Sequence, residues 1–257
     1  MLAHIGVLVF YAYKGDNMRN IDIHCHILPG LDDGASSEKE SLRMLKLAAK
    51  NGIKGVIATP HYSVGYPNLC PARIREACAK LEERAREEVA KDFFIYPGQE
   101  ILYNQDVPDL LQAGELLTMA DTDYVLIEFM PWTPYSEIKS CVNTLVLMQY
   151  EPIIAHVERY DALREKGRPE ELIDMGARLQ MNYRRIGGKW YEDTTRWCRK
   201  MLKQGKIDFL GTDMHNMKSR KPDILDAMIW MEKHLDMTYM KEICYGNARQ
   251  IIKSKDN

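Results

Sequence analysis

Histidines and carboxylates recur in this sequence at one kind of place, the end of a β-rich run. His24 and His26 close the first run, His61 follows the second in Ala-Thr-Pro-His, and Glu100 follows the third in Pro-Gly-Gln-Glu. Glu128 closes the fourth and His156 the fifth, while Asp213 and His215 follow the seventh. Side chains alternate across a strand, so residues i and i+2 face the same way and His24 and His26 can share one cation. Asp213 and His215 can do the same from the far side. A mixed imidazole and carboxylate set suits manganese, iron or zinc better than magnesium or calcium. Any one such histidine, taken alone, reads as a hydrogen-bonded structural residue. Many ionisable groups converging on one rim weigh against that, because burying them without a cation is costly. Five of the seven histidines belong to the set, and His4 and His234 do not.

Positioning these groups is the task of a repeating pattern in which a short β-rich run precedes a helical stretch. Strands are expected at 21–27, 54–59, 93–98, 124–129, 152–156, 178–182 and 207–211, all rich in Ile, Val, Phe and Tyr and bounded by Gly, Pro or Asp. Ser37 and Glu40 spell a capping box, and Leu42, Leu45 and Ala49 then line one face until Gly52 ends the helix. Segments 70–92, 136–150 and 191–204 carry helical patterns, as does the tail after Pro222. Seven such units predict a single α/β domain folded as a (β/α)₇ parallel barrel. An open doubly wound sheet competes, but no glycine fingerprint follows the first strand. In a barrel all strand carboxyl ends meet at one face, where active sites of such folds lie.

Composition narrows the function classes. With 35 basic against 37 acidic side chains, the chain has no large positive field for a nucleic-acid backbone. Six scattered cysteines without a C-x-x-C pair fit a reducing, cytoplasmic setting better than a disulfide framework. The apolar run at 5–13 is too short for a bilayer, which takes ~20 residues, and lacks the marks of a signal peptide. Residues 1–17 read as an N-terminal extension outside the site, and 18–257 as the catalytic domain. Cys78 and Arg84 formally match the Cys-x₅-Arg of thiol phosphatases. The intervening AKLEE has no glycine and lies in a helical stretch, so its amides are committed to intrahelical bonds. Cys25, between His24 and His26, should face the opposite side of its strand as a packing residue.

IDIHCHILPGLDDGASS, ATPHY, YPGQEI, VLIEF, IIAHVERY and GTDMHNMKSR, in that order, resemble the PHP superfamily. They look most like the manganese-dependent protein-tyrosine phosphatases of bacterial capsule and exopolysaccharide loci. The likeness runs from about Asn20 to beyond Gly246. It implies a distorted (β/α)₇ barrel holding three Mn²⁺ ions and hydrolysing phosphotyrosine on a bacterial tyrosine autokinase. By that resemblance His24, His26, Glu100 and Asp213 hold one ion, Glu100, Glu128 and His156 the second, and Asp33, His61 and His215 the third. Asp32 is not counted among the ligands. Arg159 and Arg220 match the phosphate-binding arginines, although Arg220, flanked by Lys218 and Lys221, also reads as surface charge. Tyr62 and Tyr66, in a loop that departs from the family wording, would stack on the substrate ring or simply pack the loop. Cations held this way would acidify a water for in-line attack on phosphorus. Phenolate, with a pKa of ~10, leaves more readily than an alkoxide. The rival readings are a small-molecule phosphatase such as histidinol-phosphate phosphatase, a polymerase-associated nuclease and a metal-stabilised scaffold that binds a kinase. The oligomeric state is not legible.

Overall fold

Each of the seven expected β runs forms a strand, and all neighbouring strands pair in parallel. The structure, a computed structural model, describes residues 20–63 and 70–253; the 1–17 segment and Tyr66 lie outside them. The strands are β1 (Asn20–Cys25), β2 (Ile53–Ala58), β3 (His61–Tyr62), β4 (Phe94–Pro97), β5 (Glu100–Leu102), β6 (Tyr124–Glu128), β7 (Glu151–Ile154), β8 (Arg178–Asn182) and β9 (Phe209–Gly211). β3 continues β2 and β5 continues β4, so two of the seven runs are interrupted just before His61 and Glu100. Thr59-Pro60 makes the first break. Gly98-Gln99 makes the second, where a Cβ on Gly98 would come within 2.8 Å of the Ile57 side chain.

Pairing runs β1-β2-β4 in one sheet and β3-β5-β6-β7-β8-β9 in the other. The ring closes where β9 returns to β1. Cys25 bridges to Met214 in parallel, His26 N–H donates to Met214 O at 2.9 Å, and Asp213 N–H donates to His24 O at 2.8 Å. These contacts make the expected seven-unit barrel and exclude an open sheet.

The first helix (Glu38–Lys50) starts where the capping signal placed it, and Ser37 accepts from Glu40 N–H. The Glu40 carboxylate, however, reaches Ser36 instead of completing the reciprocal box. Helices Pro71–Glu88, Tyr135–Leu147 and Asp193–Lys203 match their patterns, and the tail is helical over Leu225–His234, Met237–Lys241 and Asn247–Lys253. Short helices Val107–Gln112, Arg168–Asp174 and Tyr183–Ile186 were not expected, being too brief to show a periodic apolar face. Among the described residues no helix is long and apolar enough to cross a membrane.

A bulge in β1 matters most for the site. Asp22 pairs with Val56 but Cys25 with Ala58, so β1 carries one extra residue there. The extra residue reverses the alternation. Ile21 and Ile23 join Ile57, Leu126, Ile153 and Phe209 in the apolar barrel interior. Cys25 instead joins the larger core outside that interior, its thiol reaching Ile57 O at 3.4 Å. His24 and His26 thereby share the interior side, above the isoleucines.

Candidate metal centre

Strand register decides which side chains become neighbours. His61 pairs directly with Glu100 across β3 and β5, and Leu102 with Glu128 across β5 and β6. Glu100 becomes the hub. Its Oε1 lies 2.7 Å from His156 Nε2 and 3.1 Å from His24 Nε2; its Oε2 lies 3.2 Å from His26 Nε2 and 3.1 Å from His61 Nδ1. Asp213 Oδ1 stands 3.7 Å from His24 Nε2 and 3.6 Å from His26 Nε2. Asp33, at the exposed edge, faces His61 Nε2 at 3.4 Å and His215 Nε2 at 3.3 Å.

All nine residues expected as ligands therefore fall into four overlapping groups, with ligand atoms within 4.8 Å of one another in each group. The grouping differs in detail from the expected three sets. His26 stands with Asp33, His61 and His215, and His61 also stands with Glu100 and Glu128.

Two of these residues occupy backbone conformations that L side chains rarely adopt. His156 has φ 33° and Asp213 has φ 52°. Each lies just beyond a strand end, and the left-handed turn redirects its side chain into the mouth at a cost of order 1–3 kcal/mol.

Electrostatics separates the groups clearly. Burial opposes ionisation of Glu100, but His24, His156 and His26 hold its carboxyl well below the usual range. Burial likewise works against Asp213, yet His24 and Arg159 pull it low. His156 resists desolvation and is raised to about 9 by Glu100 and Glu128, and His26 is raised by Asp32 and Glu100 against its own burial. A field that holds protons on buried imidazoles is a field that favours any positive charge, a divalent cation included.

Other details fit a cation too. Glu100 Oε2 and His215 Nε2 are buried and make no well-directed hydrogen bond, although ring nitrogens or a carboxylate stand within 3.3 Å of each. His24 Nε2 and His26 Nε2 face each other at 3.4 Å, close enough for both nitrogens to turn to one cation.

Several supporting residues are not among the expected ligands. Asp32, set aside as a ligand, accepts from His26 Nδ1 at 2.7 Å, His61 N–H at 3.1 Å and Gly34 N–H at 2.9 Å, so its oxygens are engaged by the protein. Tyr160 OH, which accepts from Phe129 N–H, lies 3.1 Å from His156 Nδ1. Gln180 and Asn182 back the site from β8. Polar residues at i and i+2 of a buried strand were the available clue, the same one that marked His24 and His26.

Arg159 and Arg220 both reach Asp213, one on each carboxylate oxygen, so Arg220 is more than surface charge. Tyr62 is half-buried and packs against the core. Cys78 is buried within its helix and Arg84 pairs with Glu38, Glu87 and Glu88 on the surface, which removes the thiol-phosphatase decoy.

The family model for capsular polysaccharide synthesis proteins CpsB/CapC matches residues 20–253. The chain belongs to the CpsB/CapC family. Tyrosine-protein phosphatase CpsB of Streptococcus pneumoniae is 34% identical over 238 residues, covering 90% of this chain and 98% of that protein. Tyrosine-protein phosphatase YwqE of Bacillus subtilis (strain 168) is 34% identical over 229 residues, covering 86% and 87%. Among solved structures, one from a study of YwqE and CpsB, described as metal-dependent tyrosine phosphatases, superposes with TM-score 0.83 and 32% identity, over 91% of this chain and 94% of that one. A phosphotriesterase homology protein of Escherichia coli, 13% identical with TM-score 0.59 over 91% of this chain and 99% of its own, shares the fold alone.

Proposed function

We propose that this CpsB/CapC family member is a metal-dependent phosphomonoester hydrolase that removes phosphate from tyrosine in a protein. The observation that carries the reading is the convergence of nine ligand-type side chains at one mouth, with Glu100 as their hub and Arg159 and Arg220 beside them. The residues that would hold three cations, manganese by preference, are His24, His26, Glu100 and Asp213; Glu100, Glu128 and His156; and Asp33, His61 and His215. When bound, such cations supply an activated water and neutralise charge on the phosphoryl oxygens.

The chain's own residues do the rest. Arg159 and Arg220 are about one third exposed, so their guanidinium groups can turn from Asp213 to a phosphate and offer planar paired donors. Asp32, Tyr160 and Gln180 hold the imidazoles from behind, so little reorganisation is needed as charge develops. No side chain is assigned as general acid, in keeping with a phenolate leaving group of pKa ~10. In the cell, the substrate on this reading is a phosphotyrosine protein of the capsule or exopolysaccharide machinery, a bacterial tyrosine autokinase, met in the cytoplasm. The six unpaired thiols are in keeping with a reducing compartment.

The test is metal analysis of the purified protein, followed by assays on a phosphotyrosine peptide and on histidinol phosphate, with and without manganese. Manganese-dependent hydrolysis favouring the peptide is expected. Preference for histidinol phosphate would move the substrate to a small molecule, and kinase binding without hydrolysis would favour a scaffold. His156→Ala should lower turnover by orders of magnitude with the fold intact; a wild-type rate in that variant would refute the site.

A further inference from the structure

β8 contributes no expected ligand, yet it touches three of them. Gln180 is fully buried. Its Oε1 lies 2.7 Å from His156 N and 3.1 Å from His24 Nδ1, and its Nε2 lies 2.9 Å from Asn182 Oδ1. Asn182 Nδ2 in turn lies 2.9 Å from Asp213 Oδ2.

The direction of this chain of bonds is forced from one end. A backbone N–H can only donate, so the Gln180 atom facing His156 N is the carbonyl oxygen. That oxygen can only accept, so His24 Nδ1 must carry the proton it shares with Gln180. A neutral imidazole protonated on Nδ1 keeps its lone pair on Nε2, the atom that faces Glu100 and Asp213. At the other end, Gln180 Nε2 must donate to Asn182 Oδ1, which leaves Asn182 Nδ2 to donate to Asp213. Asp213 Oδ2 is thereby engaged from β8 as well as by Arg159, while Oδ1, which Arg220 also reaches, faces His24 and His26.

The neighbouring strand leaves room for this arrangement. A Cβ on Gly211 would sit 2.7 Å from His24 Cβ and 2.9 Å from Gln180 Nε2.

We propose that Gln180 and Asn182 are positioning residues, forming a directional amide relay that presents His24 Nε2 and Asp213 Oδ1 to one and the same cation. The inference rests on the metal-dependent reading above and adds two residues to it. It explains why amides stand here and not carboxylates. Each relay position needs an acceptor and a donor on the same side chain, and a carboxylate supplies acceptors alone.

Two isosteric variants separate the relay from simple packing. Gln180→Glu keeps both acceptor bonds but loses the donor to Asn182. Asn182 must then rotate and turn its oxygen on Asp213. Asn182→Asp places one carboxylate against another directly. Full-length wild type and both variants are stripped of metal and equilibrated with graded free manganese. Bound manganese per chain is then counted by mass spectrometry, beside thermal melting of the stripped proteins.

Both variants are expected to hold one ion fewer at a concentration that fills the wild type, with that ion bound about 10–100-fold more weakly. The remaining ions should be retained and the metal-free melting temperature nearly unchanged. Wild-type affinity at every ion in both variants would overturn the relay alone. So would a uniform loss at all ions accompanied by a large drop in melting temperature, the mark of a structural role. A wild type that binds no manganese would instead overturn the metal-dependent reading, and the relay with it.

Discussion

Below the ligands, the barrel interior is filled by Ile21, Ile23, Ile57, Leu126, Ile153 and Phe209, packed with Ala248, Ile251 and Ile252 of the last helix. Above them, the same strands end in His24, His26, Glu128 and His156, around Glu100. The change of material happens within a few residues: Leu126 to Glu128 on β6, Ile153 to His156 after β7, Ile23 to His24 across the β1 bulge. Apolar burial is non-directional, so the lower half holds its shape through volume and dryness. A ligand atom must be aimed, so the upper half depends on directed bonds from Asp32, Tyr160 and Gln180 and on strained turns at His156 and Asp213. Strain of this kind persists only where the surroundings over-determine it. The hydrocarbon plug is what makes the mouth affordable.

Substitutions at the two ends should fail differently, and the sharpest contrast is at the hub. Glu100→Gln keeps the volume and removes the charge that four imidazoles approach. Charge stabilisation worth several kcal/mol corresponds to about 10³-fold in rate, so turnover on a phosphotyrosine peptide should fall by at least that much. Circular dichroism of the metal-free variant should match wild type. A rate within tenfold of wild type would break the assignment of Glu100 as the shared ligand. Ile153→Ala, at the lower end, is expected to cost about 2–5 kcal/mol in urea unfolding while leaving the rate per folded molecule unchanged. A fall in that rate comparable to Glu100→Gln would mean the two halves are not separable.

The candidate ligands stood out in the sequence because they combine rare residue types with strand-end positions, and seven β runs followed by helical stretches made the barrel legible. What escaped it depends on geometry between strands. The β1 bulge is invisible in the sequence, because Asn20, Asp22, His24 and His26 alternate without a break with Ile21, Ile23, Cys25 and Ile27, a pattern that reads as one continuous phase. The breaks before His61 and Glu100 follow from Pro60 and from the crowding around Gly98, and the latter exists only once Ile57 is packed against it. Gln180 and Asn182 are neutral, so a search for titratable residues passes over them, though their alternation on β8 was there to read. Tyr66 falls outside the described residues, and the wording of its segment matches the family less well than the metal motifs do.

Asp32 offers the finest test of the division between a candidate ligand and a group that aims one. Burial raises its carboxyl, but the His26 contact and the Gly34 and His61 N–H groups outweigh that and hold it below the usual range. Both backbone N–H groups can only donate, one to each oxygen, so an amide at this position must turn its NH₂ toward a donor whichever way it faces. Asp32→Asn should therefore loosen His26 and lower turnover at limiting manganese by about 10–100-fold, the range for a lost support behind a ligand. Because the ligand itself survives, raising manganese should recover most of the rate, which a manganese titration of kcat/KM would read directly. If the rate instead fell as far as in Glu100→Gln and stayed there at saturating manganese, Asp32 would have to be counted among the ligands.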